Sequence, residues 1–188
     1  MPASPPVDRR PQLLVMLLLA AAGVALRWWF VDFESGDFRT FLSRWYAHLQ
    51  ATGHLAGLRD DSFSNYNTPY LVLLALAGYL PVSALAAVKA ISIGFDLLLA
   101  WAGSRIVARL RPASAWPPVG AFALVLALPT VAMNSGVWGQ CDSIYATFCL
   151  LAVLALVDRR PWAAPAWWGW RSRSSSRPCS CCPCWSRC

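Results

Sequence analysis

The sequence predicts an all-α, polytopic helical membrane protein, and three observations lead there. Apolar residues fill 57% of the 188 positions, 11 of them Trp, and the mean hydropathy is +0.46, the composition of a bilayer protein and not of a soluble core. These residues fall into runs long enough to cross a bilayer, separated by short polar breaks. The basic residues collect at the ends of those runs, in Arg9-Arg10, in Arg105, Arg109 and Arg111, and in Arg159-Arg160. The net charge of +7 comes largely from those clusters and from the last twenty residues, so it leaves no nucleic-acid footprint.

Residues 1–12 are polar and Pro-rich and read as a cytoplasmic N-terminus. Leu13 to Phe30 is almost wholly apolar, about 18 residues, enough for one crossing with Trp28-Trp29 at its boundary. A cleaved signal peptide is the rival, because Leu19-Ala20-Ala21-Ala22 resembles the small residues behind an apolar region; continuation of the run into aromatic anchors favours an uncleaved helix. Tyr70 to Arg105 is long enough for two thin crossings, with a break at Pro81. Trp116 to Met133 supplies another, and Ile144 to Val157 a further one, closed by Asp158-Arg159-Arg160. The count is four or five membrane segments.

Charge bias sets the sidedness. With all three basic clusters cytoplasmic, the polar stretch 31–69 and the break Trp138 to Asp142 both face outward. An odd number of crossings between Tyr70 and Arg105 is then required, so part of that stretch is expected to be re-entrant or interfacial; two full crossings would instead turn the Arg105 to Arg111 cluster outward, against the bias.

The 31–69 loop holds five of the nine acidic residues. After Ser35-Gly36-Asp37, the residues Phe38, Phe41, Leu42, Trp45 and Leu49 form one stripe of a helix that Gly53 would end. Arg39, Thr40, Ser43 and Arg44 occupy its far side and His48 its boundary, so the helix could lie on a membrane surface with its apolar side down. Asp37 falls in the first turn, where free N–H groups and the positive dipole end favour an ionised carboxylate. Such a carboxylate could act as a base, or could only stabilise the helix start. Asp60-Asp61 reads as a solvated loop pair. Asn65 to Tyr70 reads as a turn opening the next helix, with Pro69 in its first turn.

Lys89 and Asp96 are costly within an apolar run, and such residues face a cavity or one another. Seven residues apart, they share a helix face but lie about 10 Å apart along it, far for a direct ion pair. No HExxH-like spacing or Gly-rich phosphate loop is present, so neither a metal nor a cofactor is expected. Five of the seven Cys follow Pro178 and describe the tail, not the redox compartment.

That tail, 169–188, breaks the pattern: GWRSRSSSRPCSCCPCWSRC is basic and Ser/Cys-rich, and could be taken for a metal cluster. Back-translated with GC-rich codons and shifted by two bases, it yields LALAFKLQAMFLLPVLVAL, an apolar segment of spanning length. The expectation is an out-of-frame translation of a further transmembrane helix; without the tail's four Arg, 12 basic residues against 9 acidic leave +3. Sequencing the genomic locus decides this, since a frame intact to Cys188 with no membrane-protein sequence in another frame beyond it would refute the idea.

Residues 13–168 resemble the start of a GT-C-type membrane glycosyltransferase, of the mannosyltransferase-like group that uses polyprenyl-phosphate sugars. Gly36-Asp37-Phe38 with Trp45 resembles the first-loop motif in which an acid preceded by Gly opens a juxtamembrane helix. Tyr66-Asn67-Thr68-Pro69-Tyr70-Leu71 resembles the D/N-Y-P-P-L sequence opening the second membrane segment, with Thr68 where Pro is common and Asn67 where Asp is frequent. Asn134 to Ser143, NSGVWGQCDS, resembles the N-x-x-x-W-G-Q-x-D-S stretch of bacterial members, and Lys89 followed by Asp96 ahead of it also fits. The resemblance implies a GT-C-like N-terminal transmembrane module, an N-terminal fragment of a longer enzyme and incomplete in this chain.

It also implies a multi-pass protein of the bacterial plasma membrane that transfers a sugar from a polyprenyl-phosphate-linked donor to an acceptor hydroxyl on the external face. Asp37 would be the base. Arg39, Arg44, His48 and Lys89 are the candidate cations for the leaving phosphate. Trp138, Gln140 and Asp142, with Tyr66 and Asn67, would line the substrate cavity, although the Trp138 to Asp142 stretch could equally be a tight turn between helices. Partners would be the lipid-linked donor, the bilayer and an acceptor glycan, lipid or protein. A transporter or channel fragment, with Lys89, Asp96 and Asp142 along an ion path, is one alternative, and a non-catalytic membrane assembly factor another.

Overall fold

A computed structural model describes residues 10–161, 163 and 165 of the chain, and every regular element among them is helical. The tail 169–188, with its expected frame change, lies outside the described residues. Two helices are long and apolar enough to cross a membrane, α1 (Arg10–Trp28) and, further along the chain, Ala84–Leu110. Between them come a π-helical turn, Phe38–Leu42, running into α2 (Ser43–Ala51), a 3-10 turn, His54–Arg59, and α3 (Thr68–Ala77). Ala84–Leu110 is then α4, followed by α5 (Trp116–Ala127), α6 (Pro129–Met133), a second π-helical turn, Asn134–Trp138, and α7 (Asp142–Val157).

Only one helix of spanning length lies between Tyr70 and Arg105. Asn67 Oδ1 accepts from Tyr70 N at 3.0 Å and Pro69 sits in the first turn, so α3 starts as expected. It lasts only 10 residues, about 15 Å, before the chain turns ahead of Pro81. Ser83 Oγ then accepts from Ala86 N at 3.2 Å and opens the 27-residue α4. The stretch expected to cross from Trp116 to Met133 is not one helix of spanning length: α5 and the Pro129–Trp138 segment meet at 50° and reach that length only together, as a broken span or a re-entrant loop. Pro129 lacks an N–H and drives Leu128 out of the helical region, to φ −57° and ψ 122°.

α4 is the axis of the bundle. At its C-terminal end Arg109 Nε lies 2.7 Å from Asp158 Oδ1, joining the basic cluster to the end of α7. At its other end Lys89 Nζ donates to the carbonyls of Phe30 and, at 2.7 Å, Phe33, anchoring the start of the first loop. Between them is a buried polar knot. Arg27 Nε donates to Asp96 Oδ2 at 2.7 Å, and the Ser135 and Ser143 hydroxyls donate to the same carboxylate. This knot ties together α1, α4, the second π turn and α7, and each of its polar groups has a partner, which is what makes buried charge tolerable. The costly Asp96 is therefore matched by Arg27 of another helix and not by Lys89.

The first-loop helix departs from expectation in what it packs against. Phe38, Leu42, Trp45, Tyr46 and Leu49 are buried with Leu71, Leu74 and Ala75 of α3 and Val88 of α4. The apolar stripe thus faces the protein's own core and not a membrane surface; only Phe41, 46% exposed, stays outside. The helix does end as expected, at Gly53 with φ 85°.

Candidate functional site

Two π-helical turns, some hundred residues apart in sequence, meet at the site. The first follows Ser35, whose Oγ accepts from Phe38 N at 3.1 Å and so caps the helix start. The same hydroxyl donates to the carbonyl of Trp138 at 2.8 Å, stitching the first loop to the second π turn. That turn closes at Gly139, φ 68°, and Gln140 N donates back to Asn134 O at 2.9 Å. A glycine is needed here twice over, because a Cβ would lie 3.2 Å from Val88 Cγ1 in a backbone conformation that L side chains avoid. π turns of this kind recur at functional positions.

The result is a cleft of about 340 Å³. Phe41, Leu42 and Trp45 form one wall; Asn65, Tyr66 and Tyr70 form a second; Gly139 to Asp142 form the third, with Asp37 beside them. Asp37 Oδ2 accepts from Gln140 Nε2 at 2.9 Å, a bond between residues 103 positions apart. Since Ser35 supplies the cap, the Asp37 side chain makes no capping hydrogen bond and instead reaches across to the opposite turn. Asp142 Oδ2 accepts from Asn134 Nδ2 at 2.8 Å. Tyr66 Oη and Cys141 Sγ are 2.7 Å apart, and burial pushes both the phenol and the thiol up from their ordinary values, so both stay neutral at physiological pH.

Of the ten residues singled out from sequence, Asp37, Tyr66, Gln140 and Asp142 line this cleft, and the other six do not. Asn67 uses its carbonyl as the α3 cap. Lys89 is 1% exposed and held by the Phe30 and Phe33 carbonyls. Arg39 lies 3.2 Å from Glu34 on the exposed side of the loop, and Arg44 is exposed on α2. His48 stacks on Phe63 at 4.3 Å, with its Nε2 3.7 Å from Asp60. Trp138 contributes its carbonyl to Ser35 while its indole, 42% exposed, stays out of the cleft, so the aromatic walls are Trp45, Tyr66 and Tyr70. Asp60 behaves as the expected loop acid: the Ser62 hydroxyl and amide bind it and hold its carboxyl below the usual range.

Sequence reasoning missed Ser35, Arg27 and Tyr70. Ser35 stands just ahead of a helical stripe, which signals a cap, but nothing in the sequence signals its bond to Trp138. Searches of family models, of curated proteins and of solved structures return no match.

Proposed function

We propose that the chain is a GT-C-like glycosyltransferase module whose cleft transfers a sugar from a polyprenyl-phosphate-linked donor to an acceptor hydroxyl at the external face of a bacterial plasma membrane. The observation that carries the reading is the Asp37–Gln140 bond at the cleft, 2.9 Å long. It orients one carboxylate oxygen by a neutral amide and leaves the other for a hydroxyl proton. In the proposed step the acceptor oxygen forms the new bond to the anomeric carbon, its proton passes to Asp37, and the bond from that carbon to the lipid phosphate oxygen breaks. The phosphate leaves as the anion.

The membrane setting is supported by α1 and α4, the helices long and apolar enough to span, and by the gathering of basic residues at the Arg109–Asp158 end while the cleft lies at the other. A transporter path through Lys89, Asp96 and Asp142 has less support, because Asp96 and Lys89 are both held by fixed partners in a packed interior. The test uses membrane vesicles from cells expressing the chain, with and without the downstream frame restored, incubated with a labelled polyprenyl-phosphate sugar. Transfer of label to an acceptor is expected. Uptake or no reaction in both preparations would overturn the reading.

A further inference from the structure

Two hydrogen bonds cross between the first loop and the second π turn: Ser35 Oγ donates to the Trp138 carbonyl at 2.8 Å, and Gln140 Nε2 donates to Asp37 Oδ2 at 2.9 Å. They differ in their surroundings. Asp37 is exposed, so its bond competes with water and does not fix the geometry by itself, whereas Ser35 is 3% exposed and its bond is shielded. The second turn is held at its start by Ser135 on Asp96 and by Gly136, where a Cβ would lie 3.3 Å from Arg27 Cα. Ser35 holds its end.

Ser35 also decides what Asp37 is free to do. The loop helix opens at Gly36, and the N–H of its third residue, Phe38, needs an acceptor that Ser35 Oγ supplies at 3.1 Å. Asp37 stands in the same first turn, where open N–H groups and the positive helix end attract a carboxylate. Without the Ser35 hydroxyl that attraction draws Asp37 back onto its own helix and away from Gln140, while the Trp138 carbonyl loses its donor.

We propose that Ser35 is a positioning residue: its one hydroxyl caps the loop helix in place of Asp37 and pins the second π turn, and so holds the Asp37 carboxylate on Gln140. Ser35 acts through these two residues and touches no reacting group. Its part in turnover rests on the glycosyl-transfer reading, whereas the alignment of Asp37 with Gln140 is independent of it.

The alignment is tested by a double-mutant cycle, read by thermal unfolding of the purified 188-residue chain in one detergent. Gln140→Ala should lower the midpoint by about 2–4 °C in the parent, the worth of one hydrogen bond in a chain of this size, and by less than about 1 °C in the Ser35→Ala background. In the Asp60→Asn background, a loop acid bound to Ser62, the full drop should remain. Ser35→Cys, near in size and weak in hydrogen bonding, passes through the same cycle should Ser35→Ala not fold. The second readout is label transfer in vesicles. Ser35→Ala should lower turnover at saturating donor about 10- to 100-fold with the donor KM within about twofold, and Ser35→Thr, which keeps the hydroxyl, should stay within about threefold of the parent. Additive losses in the cycle, full turnover in Ser35→Ala, or equal losses in Ser35→Ala and Ser35→Thr overturn the proposal. Coupling in the cycle without transfer by the parent keeps Ser35 as the residue that aligns Asp37 with Gln140 and removes the transfer reading; transfer by the parent with an additive cycle does the reverse.

Discussion

Arg27 Nε sits 2.7 Å from Asp96 Oδ2, with the arginine 1% and the aspartate 0% exposed. The pair is held in a shell of further bonds, from Arg27 to the carbonyls of Gly23 at 2.9 Å and Leu126 at 3.2 Å, and from two serines to Asp96. Removing one partner strands the other charge. Arg27→Met or Asp96→Leu alone should therefore cost about 3–5 kcal/mol, and the double variant much less than the sum of the two. Thermal unfolding of the purified variants in one detergent reads this directly; additive losses would show that the pair is not coupled.

Gly139 supplies a second test of the same framework. Gly139→Ala places a Cβ 3.2 Å from Val88 in the left-handed region, for which about 1–2 kcal/mol is expected from the backbone alone. Gly36, with nothing within 4 Å of its would-be Cβ and a place in the first turn of the loop helix, is the control. Gly36→Ala should be neutral or slightly stabilising in the same melting experiment. Equal effects at the two positions would remove the role given to the turn at Gly139.

How far the sequence carried the fold follows from what each interaction depends on. The helix start after Asn67 and the stop at Gly53 depend on neighbouring residues and are readable locally, whereas the start at Ser83 carries no reading beyond the break at Pro81. The apolar stripe from Phe38 to Leu49 was readable as a stripe, yet periodicity does not say whether lipid or protein covers it, and here α3 and α4 do. Arg27 stands near the end of an apolar run, and its pairing with Asp96 spans 69 positions and has no local signal. In the cleft, Asp37 and Gln140 were both marked, but their contact depends on two π turns that no periodicity predicts. Charge marks Arg39, Arg44, His48 and Lys89 as candidates but does not place them: Lys89 is held by the Phe30 and Phe33 carbonyls, His48 stacks on Phe63, and Arg39 and Arg44 are exposed outside the cleft.

The proposed sidedness is checked by chemical labelling. With the other cysteines replaced by serine, Ser62→Cys should react at pH 7 with an impermeant maleimide added outside intact cells. Labelling only after permeabilisation would reverse the proposed topology. Cys141, restored singly, should react slowly at pH 7 and faster as pH rises, because burial pushes its thiol up and the thiolate is the reacting form. Reaction of Cys141 at pH 7 as fast as that of the exposed Ser62→Cys would contradict its placement against Tyr66.

The most direct measurement is turnover of Asp37→Asn in vesicles supplied with a labelled polyprenyl-phosphate sugar, using the preparation in which the parent protein transfers label. Asparagine keeps the shape of the side chain and can still accept from Gln140, but it cannot take a proton. Donor binding should change little and turnover should fall by roughly 10²- to 10⁴-fold, with the exposed loop variant Asp60→Asn close to normal. Near-normal turnover in folded, donor-binding Asp37→Asn would contradict the assignment of Asp37 as the base and leave the Asp37–Gln140 contact as a purely structural link between the two turns.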